Sequence, residues 1–291
     1  MKITKYLLEF IIIISLFFFF KLIGKKNASN IGCYIGKKIG PVFRSKQRIK
    51  NNLKIVFPNL SKIEEKNIIA KMWCNIGRTF SEYVFLKNFK NDTSHINING
   101  LDILDLIIKN KIPTVFVSGH FANFELMAME LERKNLNIAA IYRPLNNFFL
   151  NFIMENWRKK FICPHQIPKK IPGKEGDGTR AFIKAAKQSI NMAVMVDQSI
   201  TQGEKINFFN RKAFTTLIPA QLFLKYQYQI VPISIERING HQFIMDVLPP
   251  LNLDINKENE ITISEKINKK IENIILKNPS QWIWTHNRWK N

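Results

Sequence analysis

Between Ile112 and Leu248, short apolar runs alternate with stretches of helical periodicity, and that alternation limits the folds open to this chain. The runs Ile112–Val117, Ile138–Tyr142, Ala193–Val196, Ile230–Ile235 and Phe243–Leu248 have the length and β-branched content of buried strands. Helical spacing fills the gaps, at Phe124–Arg133, Phe148–Phe161, Thr179–Ser189 and Ile218–Tyr228. Strands that alternate with helices pair in parallel, because each crossover returns the chain to the same edge direction. The pattern therefore predicts one α/β domain with a mainly parallel sheet flanked by helices. Upstream, Ser61-Lys-Ile-Glu64 is a capping box that opens a helix carrying Ile68, Ile69, Met72, Trp73 and Ile76 on one face. No repeat or low-complexity linker divides residues 25–291, so the expected division is 1–24 and 25–291.

The first segment is of a different kind. Tyr6 to Ile23 is almost wholly apolar, although Glu9 and Lys21 leave it slightly short of the roughly 20 apolar residues that cross a bilayer. A signal peptide would need a small-x-small cleavage site, and Gly24-Lys-Lys-Asn27 follows instead. The expectation is an uncleaved membrane anchor, either spanning the bilayer or lying deep in its interface. Basic residues crowd the segment that follows, from Lys25 and Lys26 to Lys50. By the positive-inside rule this leaves the body of the protein in the cytoplasm.

Charge and cysteine content narrow the partners. Of 291 residues, 44 are basic and 22 acidic, a net charge of +22 that suits an anionic partner: nucleic acid, an acidic membrane surface or an acidic carrier protein. Nucleic-acid recognition would bring basic residues interleaved with exposed aromatics or a binding module, and neither is seen. Cys33, Cys74 and Cys163 are an odd set without metal-ligand spacing, which predicts buried or free thiols in a reduced, cytosol-facing domain. His95, His165, His241 and His286 likewise lack metal spacing. Gly173-Lys-Glu-Gly176-Asp-Gly178 is not a phosphate loop, so no cofactor is expected.

Polar residues just after the predicted strands carry the chemistry. His120 follows the first of them across a Ser118-Gly119 break, and Glu125 comes five residues later at the start of a helix. Inside one helix, residues five apart face about 140° away from each other, so the two can meet only across a strand–helix junction. A histidine base oriented by a carboxylate is what acyl transfer to a hydroxyl requires. Arg143 and Asp197 also fall just past strand ends, where open α/β sheets bind ligands. Plainer readings stand beside these: His120 and Glu125 as a polar strand–helix junction with an exposed first-turn glutamate, Arg143 as a surface cation, Asp197 as a loop cap, and Arg158 on the next helix as a solvated residue or a partner of Glu155. Trp282, Trp284 and Trp289 suit either the core or a membrane interface.

Taken in order, these residues and their neighbours resemble the lauroyl/myristoyl acyltransferase family of late lipid A biosynthesis, within the wider glycerolipid-acyltransferase-like superfamily. The resemblance runs through the anchor, Asn75-Ile-Gly-Arg78-Thr-Phe-Ser-Glu82, Gly119-His120-Phe-Ala-Asn-Phe-Glu125, Tyr142-Arg143-Pro144, the Arg158 helix and Asp197-Gln198. It ends in Pro279-Ser-Gln-Trp282-Ile-Trp284-Thr-His286-Asn-Arg288-Trp289. Asn210 departs from it, since many relatives have Phe-Phe-Gly where Phe208-Phe209-Asn210 stands here. The resemblance implies an inner-membrane enzyme with His120 as general base and Glu125 holding its imidazole. Arg158 and Asp197 would line the same site, with Arg143 assigned to a lipid phosphate. The implied donor is an acyl thioester on acyl carrier protein, and the implied acceptor a 3-hydroxyacyl hydroxyl of a Kdo-bearing lipid A precursor. Neither metal, cofactor nor nucleic acid is implied. The enzymatic alternative is an acyltransferase acting on a lysophospholipid or a mannosylated phosphatidylinositol. Val196-Asp197-Gln198-Ser199 stands where the glycerolipid branch carries Phe-Pro-Glu-Gly, which disfavours it.

Overall fold

A computed structural model describes residues 2–168, 177–201 and 203–290. Most of the glycine-bearing stretch 173–178 thus lies outside the described residues. In chain order the helices and strands are α1 (Lys2–Ile39), α2 (Lys46–Val56), α3 (Lys62–Glu82), α4 (Leu86–Asn91), β1 (Ile96–Asn99), α5 (Leu101–Asn110) and β2 (Thr114–Ser118). Then come α6 (Glu125–Arg133), β3 (Ile138–Tyr142), α7 (Phe148–Trp157), β4 (His165–Pro168), α8 (Asp177–Lys187) and β5 (Asn191–Met195). The chain ends with β6 (Glu204–Phe208), β7 (Arg211–Thr215), α9 (Ile218–Tyr226), β8 (Gln229–Asn239), β9 (Gln242–Val247) and α10 (Glu260–Lys277).

Seven strands form one sheet in the order β1-β9-β8-β2-β5-β3-β4. Every pair is parallel except the β8–β9 hairpin, so the expected α/β sheet is present with one antiparallel joint. The five predicted strands are β2, β3, β5, β8 and β9. Strand β2 lies at the centre and is buried at every position, which is why its sequence reads as a continuous apolar run rather than an alternation. Four of the nine described strands, β1, β4, β6 and β7, have no counterpart in the sequence pattern. β1 and β4 are four-residue edge strands with polar residues at half their positions, too short to show a period. The β6–β7 hairpin turns on Phe209 and Asn210, both at positive φ (53° and 57°). Asparagine tolerates that conformation better than other non-glycine residues, which suits Asn210 to the turn.

Helix α1 breaks its regular geometry at Gly24 (φ 80°, ψ 161°), the boundary expected between anchor and body. It is the one helix among the described residues long and apolar enough to cross a membrane. Its second half packs against α3 at very short range. A methyl group on Gly77 would collide with the Gly32 carbonyl and approach the Gly36 Cα to 2.9 Å. Small residues four apart let two helix backbones meet in this way.

That close approach overturns the thiol expectation. Cys33 and Cys74 face each other across the α1–α3 contact with Cα atoms 3.9 Å apart and form a disulfide, leaving Cys163 free and buried. Two cysteines 41 residues apart give no spacing signal; the glycines beside them bring them together. The three C-terminal tryptophans resolve to the core, with Trp282, Trp284 and Trp289 between 0% and 6% exposed.

Candidate active site

Strands β2 and β5 are parallel neighbours with Ser118 opposite Met195. His120 and Asp197 each lie two residues beyond that pair, so the sheet register itself brings them together. The Val196 N–H donates to the Ser118 carbonyl at 2.9 Å and carries the ladder one step past the strands. His120 Nδ1 then lies 2.8 Å from Asp197 Oδ1, and the His120 backbone N–H donates to Oδ2 at 2.9 Å. Trp282 Nε1–H donates to the same Oδ2 at 2.7 Å. An ionised carboxylate can only accept, so Nδ1 carries the proton and Nε2 keeps its lone pair in the neutral ring. The imidazole side chain is 20% exposed and the carboxylate 1%, which leaves the base reachable and its orienter sealed. The Phe124 ring packs edge-on against His120 at 4.8 Å.

Charge on this pair is mutually sustained. Burial raises the Asp197 carboxyl, yet the facing imidazole and three hydrogen bonds outweigh it and hold the group at about 2. Burial also disfavours a charged His120, but Asp197, with a smaller contribution from Glu125, carries its pKa above the ordinary histidine value.

The carboxylate bonded to His120 is therefore Asp197 rather than Glu125. Glu125, the first residue of α6, is committed elsewhere: its Oε1 accepts from the Tyr83 hydroxyl at 2.6 Å and from Arg158 Nε at 3.1 Å, with Arg158 Nη2 closer still. A guanidinium offers two donors to one carboxylate, a stronger claim than a single imidazole N–H. Arg158 pairs with Glu125, while Glu155 pairs with Lys159. Arg158 opens a π-helical turn, Arg158–Ile162, that prolongs α7, and its guanidinium lies between the rings of Tyr83 and Tyr142 at 5.9 and 5.8 Å. Burial lowers its pKa, but Glu125 and Tyr83 more than offset this, so it stays charged. Burial lifts the Tyr83 hydroxyl well above its ordinary value, with Glu125 adding to it, so it stays protonated as a donor. Arg143 is exposed at the end of β3 and joins neither cluster.

A second, largely buried network fixes the loop that carries His120. Ala122 has φ 42°, a conformation that costs a residue with a Cβ about 1–3 kcal/mol. Its carbonyl accepts from Asn75 Nδ2 at 3.2 Å and Thr79 Oγ1 at 3.1 Å, and its N–H donates to the Gln281 carbonyl at 3.1 Å. Behind it, Glu82 takes Arg237 Nη1 and Nη2 at 2.5 and 2.9 Å, Asn123 Nδ2 at 3.0 Å and Ser29 Oγ at 2.8 Å. Arg237 Nε donates to Asn75 Oδ1 at 2.9 Å and closes the circuit. No site role follows from the sequence for Tyr83, Asn75, Glu82 or Arg237, and Trp282 reads there only as a core or membrane-interface residue. Arg237 and Glu82 are 155 residues apart, and only the fold joins them.

A buried carboxylate behind a partly exposed imidazole, beside a carboxylate–guanidinium pair, is an arrangement able to move a proton and stabilise developing charge. The comparisons give it a family: the chain matches the model for the bacterial lipid A biosynthesis acyltransferases across residues 1–291, and it belongs to that family of acyltransferases. It is 23% identical over 256 residues to lipid A biosynthesis acyltransferase 2 of Shigella flexneri, covering 86% of this chain and 79% of that protein. It is 21% identical over 245 residues to the lipid A biosynthesis myristoyltransferase of Escherichia coli (strain K12), covering 82% and 73%. The lauroyltransferase of the same organism is 22% identical over 272 residues, covering 89% and 84%.

Proposed function

We propose that this acyltransferase moves a fatty acyl chain from a thioester on acyl carrier protein to the hydroxyl of a 3-hydroxyacyl chain on a Kdo-bearing lipid A precursor. The observation that carries the chemistry is the His120–Asp197 bond, which leaves Nε2 unprotonated and reachable. Nε2 takes the hydroxyl proton as the oxygen attacks the thioester carbonyl carbon. Asp197 and, at longer range, Glu125 stabilise the imidazolium that forms. When the tetrahedral intermediate collapses, the carbon–sulfur bond breaks and the departing thiolate recovers the proton from His120. Arg158, held against Glu125, keeps a positive charge beside the site for the carbonyl oxygen as it becomes negative. Arg143, exposed at the rim of the sheet, is assigned to a phosphate of the acceptor.

Residues 1–24 act as the anchor and 25–291 as the catalytic body, on the cytoplasmic face of the inner membrane where the carrier protein is found. The +22 charge favours both an acidic carrier and an anionic bilayer. The test is mass spectrometry of lipid A made with and without the protein, followed by transfer assays with purified enzyme, a carrier-protein thioester and the precursor. One acyl chain should be missing from lipid A when the protein is absent. His120→Ala should fold and lose transfer. An unchanged lipid A profile, or full activity of the variant, refutes the assignment.

A further inference from the structure

Helix α7 presents an outward stripe unlike that of a water-facing helix. Phe148 and Phe152, one turn apart, are 52% and 70% exposed, and Leu145 just before the helix is 42% exposed. Further along the same face, the exposed residues become polar: Asn156, then Lys159 and Lys160 just past the helix. The stripe thus grades from apolar along α7, which spans roughly 15 Å, to basic just past its end.

The helix is not isolated. Asn147, its cap, donates through Nδ2 to the Tyr6 carbonyl at 2.8 Å and to the Glu9 carboxylate at 3.2 Å. Ring contacts continue the seam: Tyr6 with Phe148 at 6.3 Å, Phe10 with Phe149 at 5.6 Å, and Phe17 with Trp157 at 5.8 Å. Their order shows that α1 and α7 run side by side in the same direction, fastened from Tyr6 to Phe17. The anchor's unpacked face is apolar as well, with Leu8, Phe18 and Leu22 all at least 60% exposed. A helix fastened along most of the anchor's apolar length cannot remain in water while the anchor lies in lipid. Charge agrees with this, since the basic end of α7 adjoins the end of the apolar segment where Lys21 and Lys25 lie. Lys90 beside them donates to the Lys160 carbonyl at 2.9 Å.

We propose that α7 is a second membrane-embedded element: Phe148 and Phe152 lie among the acyl chains of the bilayer beside the anchor, with Lys159 and Lys160 at the level of the phosphates. The inference rests on the anchor being in lipid and not on the acyl-transfer reading. It has a consequence for that reading. Because α7 leads directly into Arg158, an acyl chain reaches the Glu125–Arg158 pair from the hydrocarbon without passing through water.

Nitroxide labels at Phe152→Cys and, independently, Phe148→Cys test this in full-length protein reconstituted into phosphatidylethanolamine/phosphatidylglycerol vesicles. Phe18→Cys serves as the lipid reference and Lys269→Cys, on α10, as the water reference. Unsubstituted protein gives the label background, expected to be low because Cys163 is buried, with its thiol pushed up to about 12, and the other two cysteines are paired. Collisions with oxygen and with a water-soluble nickel chelate are compared. The proposal expects positions 148 and 152 to match 18, with chelate accessibility lost and oxygen accessibility retained. Chelate accessibility equal to that at 269 overturns it. Low accessibility to both reagents also overturns it, because that marks a protein partner rather than lipid. Since no turnover is measured, these outcomes are independent of whether the acyl-transfer reading holds.

Discussion

Asp197→Asn is the sharpest probe of the site. Asp197 Oδ2 is fixed by two donors that cannot change role, the His120 backbone N–H and Trp282 Nε1–H. The asparagine oxygen will therefore occupy that position, which turns the amide nitrogen toward His120 Nδ1. An amide N–H facing Nδ1 requires Nδ1 to be unprotonated, so the proton moves to Nε2 and the base loses its lone pair. Loss of one charge-assisted bond costs about 1.5–3 kcal/mol, and the inverted tautomer adds to it. At roughly tenfold per 1.4 kcal/mol, the fall in kcat/KM should be about 10² to 10⁴-fold with the fold intact. The pH profile supplies the sign. His120 must be neutral to accept a proton, so its raised pKa sets an acid limb above the ordinary histidine range. Removing the Asp197 charge leaves burial opposed only by the more distant Glu125, burial disfavours the imidazolium, and the limb moves to lower pH. Glu125→Gln, which alters a more distant charge, should move it less. The assay is thioester-dependent acyl transfer from about pH 5 to 9. Activity of Asp197→Asn within tenfold of wild type, or a limb that does not move, would refute the reasoning. A larger shift for Glu125→Gln would restore Glu125 as the orienting carboxylate.

Other consequences concern stability and covalent state. Glu82→Gln leaves the buried Arg237 guanidinium without its counter-charge, so unfolding should become easier by about 3–5 kcal/mol; an unchanged thermal midpoint would count against this. Gly77→Ala forces α1 and α3 apart and should cost about 1–3 kcal/mol, with Gly77→Ser at least as damaging; a neutral alanine variant would show that the helices do not meet as described. Purified protein denatured without reductant should take up one thiol reagent per chain, at Cys163, and three after reduction. Three without reduction would mean that Cys33 and Cys74 are not bonded.

Much of the candidate site was legible because it depends on local patterns. β2 and β5 are short apolar runs ended by polar residues, and His120 and Asp197 follow from reading where those runs stop. That these two strands adjoin was not readable, since the sequence does not say which strands are neighbours, and that adjacency decides which carboxylate reaches the histidine. Glu125 was the natural choice by proximity in sequence. Its commitment to Arg158 and Tyr83, 33 and 42 residues away, is a product of tertiary packing. Cys33 and Cys74 were misread for a similar reason, because their meeting depends on a helix contact set by three glycines in two segments. The Ala122 loop gave no signal at all, since a positive φ at alanine runs against residue preference and is held only by distant side chains.

The matched offsets of His120 and Asp197 from the Ser118–Met195 pair also fix where this sequence can change in length. One residue inserted after β2 or β5 shifts one partner by about 3.3 Å along the strand, more than a hydrogen bond can absorb. Both connections should therefore be intolerant of insertion and deletion up to the functional residue. Natural length variants should accumulate outside these two connections.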